Sequence, residues 1–216
     1  MTMRACLLGD SHTAKIIMAL REPENPLSST SFDFVVGSGS IISTLAIYDG
    51  KITSSNAESD ALFRQLGIKE PPSIHDYDYF VITGSGFGVG TFVSALREAD
   101  LWQSNLVKKQ PFDTVLQRKT KQRPYISRAC LKEGITERIR TNAYVNFARQ
   151  IVNESKSHVF LAPQPRPSDR LLPPNLGNNM PIFRRAAKNN LTAEIEEIYL
   201  SVLNNYLVDY PSITIL

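Results

Sequence analysis

The chain has 216 residues, of which 42% are hydrophobic and 21% charged, with a formal net charge of +3. This length suits one α/β domain with a sizeable core, and the balanced composition argues against extensive disorder. The net charge is too small to indicate nucleic-acid binding by itself, and the two cysteines, Cys6 and Cys130, are expected to be buried thiols. No signal peptide or membrane span is visible in the sequence, so we expect a soluble cytoplasmic protein.

The first predicted elements are a short buried strand (4–8), a turn, and a helix from Thr13, its expected cap, to Arg21. The turn places Ser11 at the carboxyl end of a strand and the amino end of a helix. Backbone N–H groups are unpaired there and the helix dipole favours negative charge, which suits the oxyanion of an acyl transfer. Ser11 is therefore the candidate nucleophile, although Asp10 and Ser11 would also serve as simple helix caps.

Strands and helices alternate along the rest of the chain. The predicted strands are 32–36, 78–83, 158–162 and 213–216, and a β-ribbon is predicted around Asp49-Gly50. The predicted helices are 56–66, 91–106 with an alternative break near Asp100, a short one capped by Ser127, 136–153 capped by Thr136, and 192–208. This alternation predicts one domain over 1–216 with a mostly parallel sheet of about five strands and helices on both faces.

Four segments follow the predicted strands and should meet at one edge of the sheet. They are the Ser11 turn, the glycine- and serine-rich segments 37–40 and 84–90, and a proline-rich segment beginning at Pro163. Ligands of open α/β sheets bind beyond the carboxyl ends of the strands. The sequence therefore predicts a functional site at this edge.

The Gly9-Asp10-Ser11-His12 tetrapeptide after an apolar strand resembles the first block of the SGNH (GDSL-like) hydrolases. The resemblance implies a three-layer α/β/α sandwich of flavodoxin-like topology, without metal or cofactor. It also implies that Ser11 forms an acyl-enzyme with an ester or an acylated carbohydrate. Gly39 would donate a second backbone N–H to the oxyanion, and Gly37 matches that role almost as well.

The third family block, Gly-x-Asn-Asp, is altered in this chain. Gly84 matches its glycine but no asparagine follows, so Ser85 or Gly86 would offer a hydroxyl or a backbone N–H instead. The segment 84–90 also imitates a dinucleotide-binding fingerprint, which makes nucleotide binding an alternative function. Against this alternative, Val89 occupies the third glycine position and no acidic residue ends a strand about 20 residues later.

A serine nucleophile needs a base, usually a histidine oriented by a carboxylate. The family supplies both from a C-terminal Asp-x-x-His block, which this sequence lacks. Asp10 and His12 are candidate orienting residues beside Ser11, whereas His75 and His158 should lie at the opposite, amino edge of the sheet. The chain is then either a truncated enzyme, which its apolar last residues favour, or a non-catalytic binding protein on the same scaffold.

The segment from Lys108 to Arg128 is strongly basic, with Asp113 as its single acidic residue. It is either a solvated loop or a surface that attracts an anionic partner. Nucleic acid is disfavoured as that partner, because the neighbouring aromatic residues are not interleaved as a stacking platform requires. We expect no interaction with a membrane.

Overall fold

The structure is a computed structural model that describes residues 2–10, 13–20, 22, 27, 29–37, 41–66, 68–88, 100–101, 125–164 and 191–216. The chain divides into two compact units. The first, which we call the sheet unit, comprises Met1–Gly88, Arg138–Gln164 and Leu203–Leu216, and the second comprises Val89–Glu137 and Pro165–Val202. That these residues form one domain stays a prediction.

A five-stranded parallel sheet is the centre of the sheet unit. Numbered along the chain, its strands are β1 (Met3–Gly9), β2 (Thr30–Val36), β5 (Tyr79–Gly88), β8 (His158–Gln164) and β9 (Ile213–Ile215). Their spatial order is β2-β1-β5-β8-β9, which is the flavodoxin-like order 2-1-3-4-5 when only these strands are counted. The predicted α/β fold with a parallel five-stranded sheet is confirmed.

Two short pairs of strands accompany the sheet. β3 (Leu45–Tyr48) and β4 (Lys51–Ser54) form the predicted antiparallel ribbon, and Asp49 and Gly50 have φ values of 50° and 67° at its turn. In the second unit, β6 (Asp100–Leu101) pairs with β7 (Tyr125–Ile126). These two residues lie where the sequence indicated a break in the helix predicted over 91–106, and the other residues of that helix lie outside those described.

Five helices occur in the described residues: α1 (Thr13–Leu20), α2 (Ala57–Gln65), α3 (Arg128–Arg140), α4 (Ala143–Glu154) and α5 (Leu191–Tyr206). Short 3-10 turns occupy Ile41–Thr44 and Ile74–Asp76. In the part of the chain that the structure describes, every helix is too short or too polar to cross a membrane.

The segment predicted as one helix over 136–153 contains the end of α3 and most of α4. Ser127 caps α3 as predicted, because its hydroxyl accepts a hydrogen bond from the Cys130 N–H at 3.1 Å. Thr136 is not a cap: it lies inside α3, where its hydroxyl donates to the Lys132 carbonyl at 2.9 Å. The break comes at Asn142, whose extended backbone and side-chain oxygen cap the first turn of α4.

Helices α1 and α4 cover opposite faces of the sheet. Thr83 and Gly84 are consecutive in β5, so their Cβ directions point to opposite faces. The Thr83 hydroxyl meets Thr13 of α1, whereas a Cβ at Gly84 would overlap the Tyr144 ring of α4. The sheet thus has a helical layer on each side, as the predicted sandwich requires.

The two cysteines have different environments. Cys6 is fully buried in β1, as predicted, and burial raises the pKa of its thiol far above the usual range. Cys130 lies on the exposed side of α3, so the prediction that it is buried is wrong. Both thiols are free.

Candidate functional site

The carboxyl ends of β1 and β5 form the topological switch point of the sheet. From β1 the chain goes to the neighbour on one side, β2, and later returns to the neighbour on the other side, β5. Gly9 pairs with Thr83, so the following residues, Asp10 and Gly84, come next to each other. Ligands of flavodoxin-like sheets bind at this point. We call Asp10, Thr13, Thr83, Gly84 and Tyr144 the switch site.

Asp10 directly follows β1 and is only 1% exposed. Its carbonyl accepts a hydrogen bond from the Thr13 N–H at 3.0 Å, which closes the turn into α1. Ser11 and His12 lie between these two residues in the sequence and are outside the described part of the chain. The structure therefore describes both flanks of the candidate nucleophile.

Thr13 is the first residue of α1 rather than the predicted cap. Its hydroxyl forms a buried hydrogen bond with the hydroxyl of Thr83 on β5. A side chain at Gly9 would overlap this pair, so glycine is required where α1 approaches the sheet. The contact fixes the beginning of α1 against the end of β5.

Tyr144 belongs to the first turn of α4 and is 2% exposed. Burial and, secondarily, the negative charge of Asp10 raise the pKa of Tyr144 to about 12. The phenol is therefore protonated at ordinary pH. Tyr144 was not predicted as a site residue, because the sequence pattern places it inside one long helix over 136–153. The overlooked signal was Asn142, a preferred capping residue two positions earlier.

The structure distinguishes the two glycines considered as oxyanion donors after β2. The Gly37 N–H donates to the Gly9 carbonyl at 3.1 Å, which joins the end of β2 to the end of β1. The Gly37 N–H is therefore already used in a hydrogen bond within the protein. Gly39 lies outside the described residues, and its role stays a prediction.

The segment 84–90 was predicted to follow the strand 78–83, but its residues Gly84 to Gly88 belong to β5. Gly84 pairs with Pro163 and Gly88 pairs with Gln164, the next residue of β8. Ser85 and Gly86 lie in the irregular stretch between these pairs, where β8 has no residue to face them. Bulges of this kind are frequent beside functional sites. A dinucleotide fingerprint, in contrast, needs its glycines in a turn that opens a helix.

The two described histidines lie at the amino edge of the sheet, as predicted. His75 is exposed in the 3-10 turn before β5, and His158 is the first residue of β8. The His158 Nε2 is 2.8 Å from the Thr214 hydroxyl of β9. Neither ring is at the edge that carries Asp10, so neither is placed to act as a base there.

An open depression of roughly 790 Å³ lies at this amino edge, between His75, Tyr79, Glu154 and His158. Several of its polar groups connect elements of the fold. The Ser157 hydroxyl donates to the Tyr77 carbonyl at 2.7 Å, and the Asp78 carboxylate accepts the Arg4 N–H at 2.9 Å. We assign these bonds to the structure of the edge and not to a ligand site.

Two further predictions concern binding partners. The basic segment 108–128 lies outside the described residues except for 125–128, so its anionic partner stays a prediction. Within the described residues, no group of three or more His, Cys, Asp or Glu side chains is arranged to hold a metal ion.

Comparison with known proteins gives no assignment: no family model, curated protein or solved structure matches this chain. The geometry of the switch site and the residues beside it in the sequence are therefore the basis for a functional proposal.

Proposed function

We propose that this chain is an SGNH-type serine esterase in which Ser11 is the nucleophile. The observation that carries the proposal is the position of Asp10, which directly follows β1 and comes next to Gly84 at the topological switch point. Ser11 is the next residue in the sequence, and it precedes α1 by two positions. A serine there follows a strand and precedes a helix at the edge where ligands bind.

The proposed reaction is acyl transfer from an ester to Ser11. The serine oxygen bonds to the carbonyl carbon, the ester C–O bond breaks, and the serine proton passes by way of a base to the departing alkoxide. Water then hydrolyses the acyl-enzyme. The substrate class, a small ester or an acylated carbohydrate, follows from the family resemblance alone.

The proposed oxyanion donors are the N–H groups of Ser11 and Gly39, together with Ser85 or Gly86. Two observations support this choice. The Gly37 N–H is bonded to Gly9, and the irregular stretch of β5 removes residues 85 and 86 from the regular ladder with β8. Each donor of an oxyanion hole typically contributes about 10²–10³ in rate.

The base is not assigned to His75 or His158, because both lie at the opposite edge of the sheet. Loss of the histidine from a serine-protease triad lowers kcat by about 10⁶. We therefore expect Ser11 to be captured by a strongly electrophilic probe more readily than it turns over an ester. Asp10 and His12 are the candidate orienting residues, and the proposed location is the cytoplasm.

A fluorophosphonate probe tests this function. We expect one covalent adduct on the peptide that contains Ser11, measured by intact mass and peptide mapping, and none on Ser11→Ala. Ser201→Ala, which changes an exposed serine of α5, should be labelled like the unchanged protein.

Absence of an adduct on the folded protein, or equal labelling of Ser11→Ala, would contradict the esterase proposal. A non-catalytic binding protein is then the favoured function, since the two described histidines are remote from the switch site. A rise in melting temperature with an acylated sugar would support that function. A rise with nucleotides alone would instead support the use of segment 84–90 for nucleotide binding.

A further inference from the structure

We propose that Tyr144 is a positioning residue that acts through Asp10 to fix the turn bearing Ser11. This inference rests on the proposed function of Ser11. It assigns a role to a helix residue that the sequence pattern did not single out.

The contact between α4 and the sheet places Tyr144 beside Gly84, the residue next to which Asp10 follows β1. The ring of Tyr144 occupies the space into which a side chain at Gly84 would project. Asp10 follows Gly9, and Gly84 follows its register partner Thr83, so the backbones of Asp10 and Gly84 come next to each other. Tyr144 therefore lies close to Asp10, and the charge of Asp10 acts on its phenol.

Burial determines what kind of role Tyr144 has. Tyr144 is 2% exposed and its phenol oxygen is buried, so it is not placed to touch a substrate. Asp10 is buried as well, and its charge raises the pKa of the phenol. The neutral phenol is the form that the neighbouring negative charge favours.

The turn is held from both faces of the sheet. On one face the Tyr144 ring packs against Gly84, which lies next to Asp10, the residue before Ser11. On the other face the Thr83 hydroxyl binds Thr13, the residue after His12. Because the two anchors flank Ser11 and His12 in the sequence, loss of one anchor should displace the nucleophile. Small displacements of reacting groups can cost about 10²-fold in rate.

A double-mutant cycle on the rate of phosphonate labelling at Ser11 tests the proposal. We expect Tyr144→Phe and Asp10→Asn each to slow labelling about 10- to 100-fold. If Tyr144 acts through Asp10, adding Tyr144→Phe to Asp10→Asn should change the rate little further. Tyr199→Phe, which changes a buried tyrosine of α5, should label at the unchanged rate. The inference would be overturned if Tyr144→Phe is labelled at the unchanged rate. It would also be overturned if the rate reduction in the double variant equals the product of the reductions in the two single variants.

A second measurement does not depend on catalysis. Incorporation of 2,3-difluorotyrosine at position 144 lowers the phenol pKa into the pH range in which the protein is folded. The titration of this phenol is then followed by ¹⁹F NMR. Asp10→Asn should lower that pKa, because the negative charge that disfavours the phenolate is removed. If Ser11 is not labelled in the unchanged protein, the esterase proposal fails and this titration decides the contact between Tyr144 and Asp10. An unchanged phenol pKa in Asp10→Asn would refute that contact.

Discussion

Gly84 lies where α4 packs closely on the sheet in the switch site. Its missing side chain leaves the space that the Tyr144 ring fills. Gly9 has the same function on the other face, where the hydroxyls of Thr13 and Thr83 meet. Two glycines on adjacent strands thus allow a helix to pack closely on each face of the sheet.

Replacement of Gly84 by alanine should destabilise the fold. The added methyl group would overlap the Tyr144 ring, and forced overpacking typically costs about 1–3 kcal/mol of unfolding free energy. Gly134→Ala is the matched control: no atom lies within 4 Å of its added methyl group, and alanine favours a helix by up to about 1 kcal/mol over glycine. Urea denaturation measures the free energy of unfolding of both variants. Equal stability of Gly84→Ala and the unchanged protein would show that the ring moves aside at little cost.

At the residue scale, sequence reasoning identified Asp10 and Gly84 but not Tyr144. The first two follow apolar strands, and the carboxyl ends of parallel strands meet at one edge. Tyr144 comes to the same edge only because α4 begins at Asn142 and packs on β5 and β8. That packing joins residues 60 positions apart, and no local pattern encodes it.

Helix α4 depends on its cap. The Asn142 side-chain oxygen accepts from the N–H groups of Tyr144 at 2.9 Å and Val145 at 3.2 Å. Asn142→Ala should lower the free energy of unfolding by about 1–2 kcal/mol, as measured by urea denaturation. Asn142→Asp keeps an accepting oxygen and should remain close to the unchanged protein. A full loss in the aspartate variant would show that the amide has another essential contact.

At the element scale, apolar runs predicted the strands well and their ends poorly. β1, β2 and β8 were each found within about two residues of their bounds, because apolar residues make up most of each run. β5 extends five residues beyond the predicted end at Thr83, because pairing with β8 continues across a glycine-rich irregularity. Strand pairing of this kind overrides local preference, since glycine is normally depleted in strands.

At the scale of the whole molecule, the alternation of strands and helices was enough to predict the parallel sheet. The order β2-β1-β5-β8-β9 also agrees with the flavodoxin-like topology that the family resemblance implied. The site is only partly built by described residues, because Ser11, His12 and Gly39 lie outside them. The chemistry therefore remains a proposal even though the scaffold is confirmed.

The two thiols provide a probe of opening of the sheet. Cys130 is exposed and should react promptly with a thiol reagent such as dithionitrobenzoate in the folded state. Cys6 is fully buried, and its raised thiol pKa disfavours the reactive thiolate, so it should react only when β1 separates from its neighbours. Cys130→Ser isolates the slow reaction, whose rate should rise with urea. Rapid modification of Cys6 without denaturant would contradict a closed sheet.

The irregular pairing between β5 and β8 has a consequence for how this edge can evolve. A shift of one residue in an ordinary strand turns every following side chain to the other face. Here the chain skips three positions on β5 and pairs again at Gly88 and Gln164, downstream of Thr83 and Gly84. Insertions or deletions in that stretch would leave the anchors of α1 and α4 in register. The carboxyl edge of the sheet can therefore vary in length and chemistry while the strands and helices that support it keep their positions.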